Sequence, residues 1–412
     1  MSLKVWLRRL GPGLLFAAAA IGVSHLVQST RAGALYGFDL LWAIVAIHIA
    51  KYPFFQFGPR YVAATGRNLL HGYKALGSWA IFAFVMVTLG TVFTIQAAVT
   101  VVTAAIMAQL FQITLPLWQL SGLILMACAA LLYAEKFYLL ERSVKFIILL
   151  LTLCTITAVL AAASKGYRPP VAQHFEWTPA GIAFLIALMG WMPSPLDLSV
   201  WVSFWNEEKN KELGGRMKLR DTLRDFNIGY WGTLFVALFF MALGAYIMHG
   251  RGVSFSPKGA VFAQQLIEMY TQSLGGWAYW VIGGAALTTM LSTTLTVFDG
   301  IPRTLEKTTV LLLPGLQKRE KALYRAYMLL VGGGAVLLLA VFIGNMQAMV
   351  DVATVLSFCT APFFALANYL VIREQSIPEA FRPGRGMRWL SRAGIVMLSA
   401  FAAYYLFALF TR

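Results

Sequence analysis

Two short stretches carry the residue types with which a buried site does chemistry. One reads Gly22-Val23-Ser24-His25 and the other Met192-Pro193-Ser194-Pro195. The first offers a hydroxyl (Ser24), an imidazole (His25) and backbone carbonyls such as that of Ala19. The second offers a thioether (Met192), a hydroxyl (Ser194) and the carbonyl of Met189. His with Met suits a soft or late transition metal, and a hard divalent ion wants anionic oxygen. Asp197, five residues after Met192, is the acid of this region. A carboxylate inside an apolar segment is expensive and marks function by default. It has three readings: a proton carrier, a cation ligand, or an ion-pair partner of His25 or Arg31. His48 and Lys51 stand three apart, on one helical face, as a relay or as a lysine snorkelling to a wet edge. Thr289, Ser292 or Thr293, and Thr296 share another face, as a row of cation-binding hydroxyls or as interhelical hydrogen bonds.

These residues sit in a chain of 412 residues that is 59% hydrophobic and only 12% charged, with a mean hydropathy of +0.71. A soluble domain is ~25% charged, so soluble and disordered classes are excluded. A span needs roughly 20 apolar residues. Charge-free windows run over 10–30, 75–134, 146–164, 177–196, 226–250, 269–298, 326–350, 352–372 and 393–411. The window 75–134 holds two spans with a turn near Pro116, and 38–62 adds one more, so eleven spans are expected. Lipid leaves no unpaired backbone, which makes this a helical bundle forming one transmembrane domain over 1–412. Polar loops are expected at about 206–225 and 249–274.

The N-terminal Lys4, Arg8 and Arg9 before Leu14–Ala20 resemble a signal peptide, but the apolar stretch continues and further spans follow, so it reads as span 1. The net charge is +16. Most lysines and arginines fall in alternate loops, which places the N-terminus inside and the C-terminus outside. Anionic lipid is the partner this implies, and nucleic acid is not needed to explain it. Cys128, Cys154 and Cys359 all lie in spans and form no disulfide framework. No phosphate loop is present.

Spans 1 and 6 are each interrupted midway. Two prolines two residues apart unwind a helix. Paired broken helices in corresponding positions of two halves point to an inverted-repeat transporter with its site between the breaks; simple kinks in bundle helices are the other reading. Gly332-Gly333-Gly334 in span 9 reads as close helix packing.

The stretch from Gly11-Pro12-Gly13 through Arg31-Ala32-Gly33-Ala34-Leu35-Tyr36-Gly37-Phe38-Asp39-Leu40-Leu41-Trp42 resembles the first span of the Nramp family of divalent-metal transporters. Thr65-Gly66-Arg67-Asn68-Leu69, Met192-Pro193, and Ser292-Thr293-Thr294-Leu295-Thr296 with Gly300 are similar to further family motifs. The resemblance is closest over 11–70, intermediate over 186–204 and 286–305, and diffuse elsewhere. It implies a LeuT-type fold: inverted five-helix repeats at about 10–164 and 177–372, plus an extra helix at about 388–411. It implies metal contact at Gly22 and His25, where the family has the Asp and Asn of Asp-Pro-Gly-Asn, at Met192, and near Cys359 and Thr360, where the family has a Gln. Both first-span ligands are absent here, the His after Met-Pro is Ser194, a second His aligns with Ser199, and span 3 has no acid between Lys74 and Glu135.

The function these residues imply is a secondary active transporter of the inner membrane of a bacterium, its site altered away from ordinary Mn2+ or Fe2+ binding. The substrate-binding set is Ala19, Gly22, Val23, Ser24, His25, Met189, Met192, Pro193, Ser194, Cys359 and Thr360, with Met192 and His25 as metal ligands. Asp197, Thr289 and Thr293 are the coupling-ion candidates, and Asp197 with His25 the expected source of any pH dependence. No cofactor and no enzymatic site are expected. Two alternatives stand beside this: a carrier of a neutral or anionic solute, and a receptor on the same scaffold.

Overall fold

The computed structural model describes residues 11–134, 137–164, 174–250, 255–341 and 345–410. Within them the chain is helical, with no strand. Lys4, Arg8, Arg9, Lys136, Lys165, Arg168, Arg251 and Arg412, on which part of the orientation argument rests, lie outside the described residues, as do the side chains of Arg142 and Lys145.

The first apolar segment is α1 (Pro12–Ala20), a π-helical turn (Ser24–Ser29) and α2 (Thr30–Tyr36), bent by 48°. Then come α3 (Leu41–Thr65), the short α4 (Leu69–Ala75), α5 (Ser78–Phe111), α6 (Leu117–Tyr133) and α7 (Phe137–Ser164). The other broken segment is α8 (Pro179–Trp191) and α9 (Leu198–Glu212). It is followed by α10 (Leu219–Ile247), α11 (Gly259–Leu274), α12 (Ala278–Leu312), α13 (Glu320–Val341), α14 (Met346–Arg373) and α15 (Arg385–Phe410). The polar stretch expected as a loop over 249–274 contains α11, whose buried residues Phe262, Ala263, Leu266, Ile267 and Tyr270 follow helical spacing. The turn expected near Pro116 is there, with Pro116 as the residue before α6.

By length and composition, six helices among the described residues are able to cross a membrane: α5, α10, α12, 314–341, α14 and 385–407. The bent pair α1/α2 makes a seventh. The other expected spans correspond to shorter apolar helices (α6, α8, 149–164) and to α3, which carries His48, Lys51, Gln56 and Arg60 along its length.

Both broken segments start from the same chemistry. Pro12 and Pro179 each sit at the first helical position, where a missing N–H costs nothing. Thr178 Oγ1 accepts from Gly181 N at 3.2 Å. For α1 the cap comes from a distant residue: Asp225 of α10 accepts from Gly11 N at 3.0 Å and Gly13 N at 2.7 Å. Glycines then bring backbones together. A Cβ on Gly13 would run into the Asp225 carbonyl, and one on Gly229 into the Gly13 carbonyl. Beyond the break the same pairing recurs: Gly33 faces the Met241 carbonyl and Gly244 the Thr30 carbonyl. α10 thus lies along both halves of the first segment. In the second, Gly190 of α8 abuts the Thr354 carbonyl of α14.

Candidate functional site

The two interruptions meet. At the first, Ile21 N still reaches Ala17 O, and Gly22 N turns onto Ala20 O at 2.9 Å. Ser24 Oγ donates to Ala20 O at 2.8 Å and lies 3.3 Å from Pro193 O in the second interruption. Between them lies a cavity of about 30 Å3, room for an ion or a water. Its walls come from Ala19, Ala20, Val23 and Ser24, from Ile95 and Val99 of α5, from Trp191, Ser194, Pro195, Asp197, Leu198 and Trp201 around the α8/α9 break, and from Thr293 and Val297 of α12. The polar members are Ser24, Ser194, Asp197 and Thr293. Asp197 is the one acid on the wall, at the N-cap position of α9. A carboxylate there also gains from the positive end of the α9 dipole.

The expected site residues divide into two groups. Ala19, Val23, Ser24, Ser194, Asp197 and Thr293 line the cavity. Gly22 is pressed against Thr293, whose Cγ2 and Oγ1 would both be 2.9 Å from a Cβ at position 22. The remaining residues face elsewhere. His25 is fully buried, with Nδ1 2.7 Å from Ser24 Oγ and Nε2 3.0 Å from Thr233 O of α10. Because a carbonyl accepts, Nε2 carries a proton and donates to Thr233 O, while Nδ1 and Ser24 Oγ share a hydrogen bond whose direction is set by the protonation of the ring. Met192 is fully buried outside the cavity wall, and Pro193 contributes its carbonyl. Cys359 and Thr360 are half-buried on α14, away from the cavity, with Thr360 Oγ1 donating to Ser357 O. Thr289 lies one turn before Thr293 and accepts from it through its carbonyl at 3.1 Å, while its own buried hydroxyl has no partner.

Asp197 pairs with neither residue suggested for it. Arg31 instead binds Asp351 of α14 at 2.7 Å and Gln28 at 2.8 Å, with its guanidinium 5.3 Å from the Phe184 ring centroid. Lys51 does not snorkel to a wet edge. It is fully buried, and Nζ donates to Met189 O at 2.8 Å, Gly190 O at 2.7 Å and Ser194 O at 3.3 Å. His48 Nδ1 bonds Ile44 O one turn back, and its Nε2 has no partner. Sequence reasoning also missed Trp191 and Trp201 as walls, and Ser357, which accepts from Trp191 Nε1 at 2.7 Å. Among the described residues no three His, Cys, Asp or Glu side chains gather as a metal cluster.

A sequence profile described as Natural resistance-associated macrophage protein-like, Nramp, matches residues 13–408. The chain belongs to the Nramp family. A similar protein is Uncharacterized protein PM0681 of Pasteurella multocida (strain Pm70), 33% identical over 402 residues that make up 96% of this chain and 91% of that one. Among solved structures, the Eremococcus coleocola manganese transporter in complex with an aromatic bis-isothiourea substituted compound superposes with a TM-score of 0.64 at 15% identity, over 97% of this chain and 86% of that one. MhsT in complex with L-phenylalanine superposes with a TM-score of 0.59 at 13% identity, over 96% and 97%. The expected all-helical LeuT-type fold is therefore the fold of this Nramp protein. Within it, the glycine at 22 leaves its space to Thr293, and the imidazole at 25 turns to α10.

Proposed function

We propose that this chain is a secondary active transporter working by alternating access, with a metal cation as substrate and a site altered away from ordinary Mn2+ or Fe2+ binding. The observation that carries the reading is the cavity shared by the two broken helices, whose wall holds one carboxylate, Asp197, together with Ser24, Ser194 and Thr293. One carboxylate with neutral oxygens is a cation-binding set, but a poor one for a divalent ion that must shed its water. Family membership and the manganese-transporter neighbour support transport of a cation.

The topology that goes with this reading has eleven spans: α1/α2, α3, α5, α6, α7, α8/α9, α10, α12, α13, α14 and α15. The repeats are 10–164 and 177–372, with 388–411 as the extra helix, the N-terminus inside and the C-terminus outside, in the inner membrane of a bacterium. Asp197, Thr289 and Thr293 remain the coupling-ion candidates.

The test is uptake into liposomes under separately imposed proton and sodium gradients, for wild type, Asp197→Asn and Thr293→Val. Metal uptake that Asp197→Asn abolishes is the expected result. Uptake of metal that is unchanged in both variants would overturn the site. A second reading, a neutral or anionic solute, is favoured by one observation: the Lys51 ammonium beside the break offsets the charge of Asp197. Solute uptake with no metal uptake would establish it.

A further inference from the structure

The carbonyls around Lys51 are the ones the α8/α9 break sets free. Met189 and Gly190 belong to the last turn of α8, and Ser194 to the unwound stretch. A helix end leaves four carbonyls without intrahelical partners and carries the negative end of the dipole. Inside a bilayer such carbonyls must be met by protein groups or by a cavity, and here a positive side chain meets three of them. Backbone carbonyls converging on one point are also how channels replace the hydration shell of a bare monovalent ion. Here the point is taken by Nζ, at 2.7–3.3 Å from all three oxygens. An ammonium has three donors and no acceptor, so three carbonyls satisfy it completely.

No carboxylate among the described residues lies within ion-pair distance of Lys51. Asp197 is its through-space counter-charge, facing the cavity. The ammonium is therefore held as a free cation would be, by dipoles.

We propose that the break between α8 and α9 is a monovalent-cation site whose resident ion is the Lys51 ammonium, and that Lys51 is thereby a specificity-determining residue. It withholds the Met189, Gly190 and Ser194 carbonyls from the ion in the neighbouring cavity, which is left with Asp197 and hydroxyls. This second half rests on the reading of that cavity as the substrate site; the first half does not.

Thermal unfolding of the purified full-length protein in detergent tests the first half. Lys51→Ala is expected to lower the midpoint by ~5–10 °C. Ammonium or methylammonium chloride should restore at least half of the loss at concentrations that leave wild type unmoved. Tetramethylammonium, with no N–H, should restore nothing. Lys51→Gln keeps donors without charge and should remain as unstable as Lys51→Ala. A wild-type midpoint in Lys51→Ala, full recovery in Lys51→Gln, or no response to either small ammonium overturns the cation site. Where Lys51→Ala gives no folded protein, Lys51→Met, which keeps the volume, carries the same expectation; failure of both to fold even when expressed and purified in methylammonium counts against the site. Calorimetry with Na+, K+ and Mn2+ tests the second half. Lys51→Ala should bind at least one of them ~tenfold more tightly than wild type, and unchanged affinities overturn it. None of these readouts needs transport, so a failure here and an absence of uptake in liposomes are distinguishable.

Discussion

At position 22 the absent ligand and its replacement are one fact. The space where the family's Asp side chain would begin is filled by Thr293, 2.9 Å from a Cβ built there. Threonine is stiff at χ1 and has no long arm to swing aside. Gly22→Asp with His25→Asn alone is therefore expected to misfold or to bind no metal, and adding Thr293→Ala should open the space. Calorimetry should show Mn2+ binding only in the triple variant, with wild type showing none. Binding by the double variant without Thr293→Ala would show that α12 yields. The same position explains what sequence could and could not give away. Prolines and small residues mark both breaks, and Asp197 stands out as an acid in an apolar run. The facing of His25 and Met192 was hidden because helical phase is lost at each break: a π-helical turn follows the first and a non-helical stretch the second. Neither reading of Lys51, relay or snorkelling side chain, finds its partners, because these are backbone carbonyls, which leave no signature in residue type.

At the scale of elements, α10 is the splint of the broken first segment. It meets α1 through Gly13, Gly229 and the Asp225 cap, and α2 through Gly33 and Gly244. The glycine contacts are backbone on backbone, where no side chain can give way. Gly229→Ala or Gly244→Ala is expected to cost ~1–3 kcal/mol or more by overpacking. Gly333→Ala, in open space on α13, should be neutral or slightly stabilising. Midpoints of thermal unfolding check the contrast, and equal effects at all three positions would refute the splint. The contrast also refines the expectation for the glycine run: Gly332 meets Phe298 and Gly334 meets Phe93, but Gly333 packs on nothing. Asp225→Ala removes both acceptors for the start of α1, at a cost of ~1–2 kcal/mol. Faster hydrogen exchange at 11–20 with α2 unchanged is the expected signature.

For the whole molecule, the outer surface is as telling as the core. Phe82, Met126, Leu160, Phe235, Leu329, Leu337 and Val396 are all exposed on the outside of the bundle. Such a surface is stable only against lipid. The crossing count is less readable than the surface, because broken and short helices fail a length criterion while still able to cross in pairs, as α1/α2 does. Charge supplies the missing constraint. Lys209, Lys211, Arg216, Lys218, Arg220 and Arg224 cluster around the junction of α9 and α10, and Arg303, Lys307, Lys318, Arg319, Lys321 and Arg325 around the junction of α12 and α13. Basic loops stay inside. On the proposed topology, eleven crossings from an inside N-terminus, His174 and Lys258 fall outside, and Glu212 and Gln375 inside. All four are exposed and available to reagent. In a background with Cys128, Cys154 and Cys359 changed to alanine, single cysteines at these four positions are to be labelled in intact cells with a membrane-impermeant maleimide. His174→Cys and Lys258→Cys should react at once, and Glu212→Cys and Gln375→Cys only after permeabilisation. A full inversion would keep the crossings and reverse the orientation. His174→Cys and Glu212→Cys reacting on the same side would mean that α8/α9 enters and leaves by one face, which would remove the paired crossing on which the shared cavity depends.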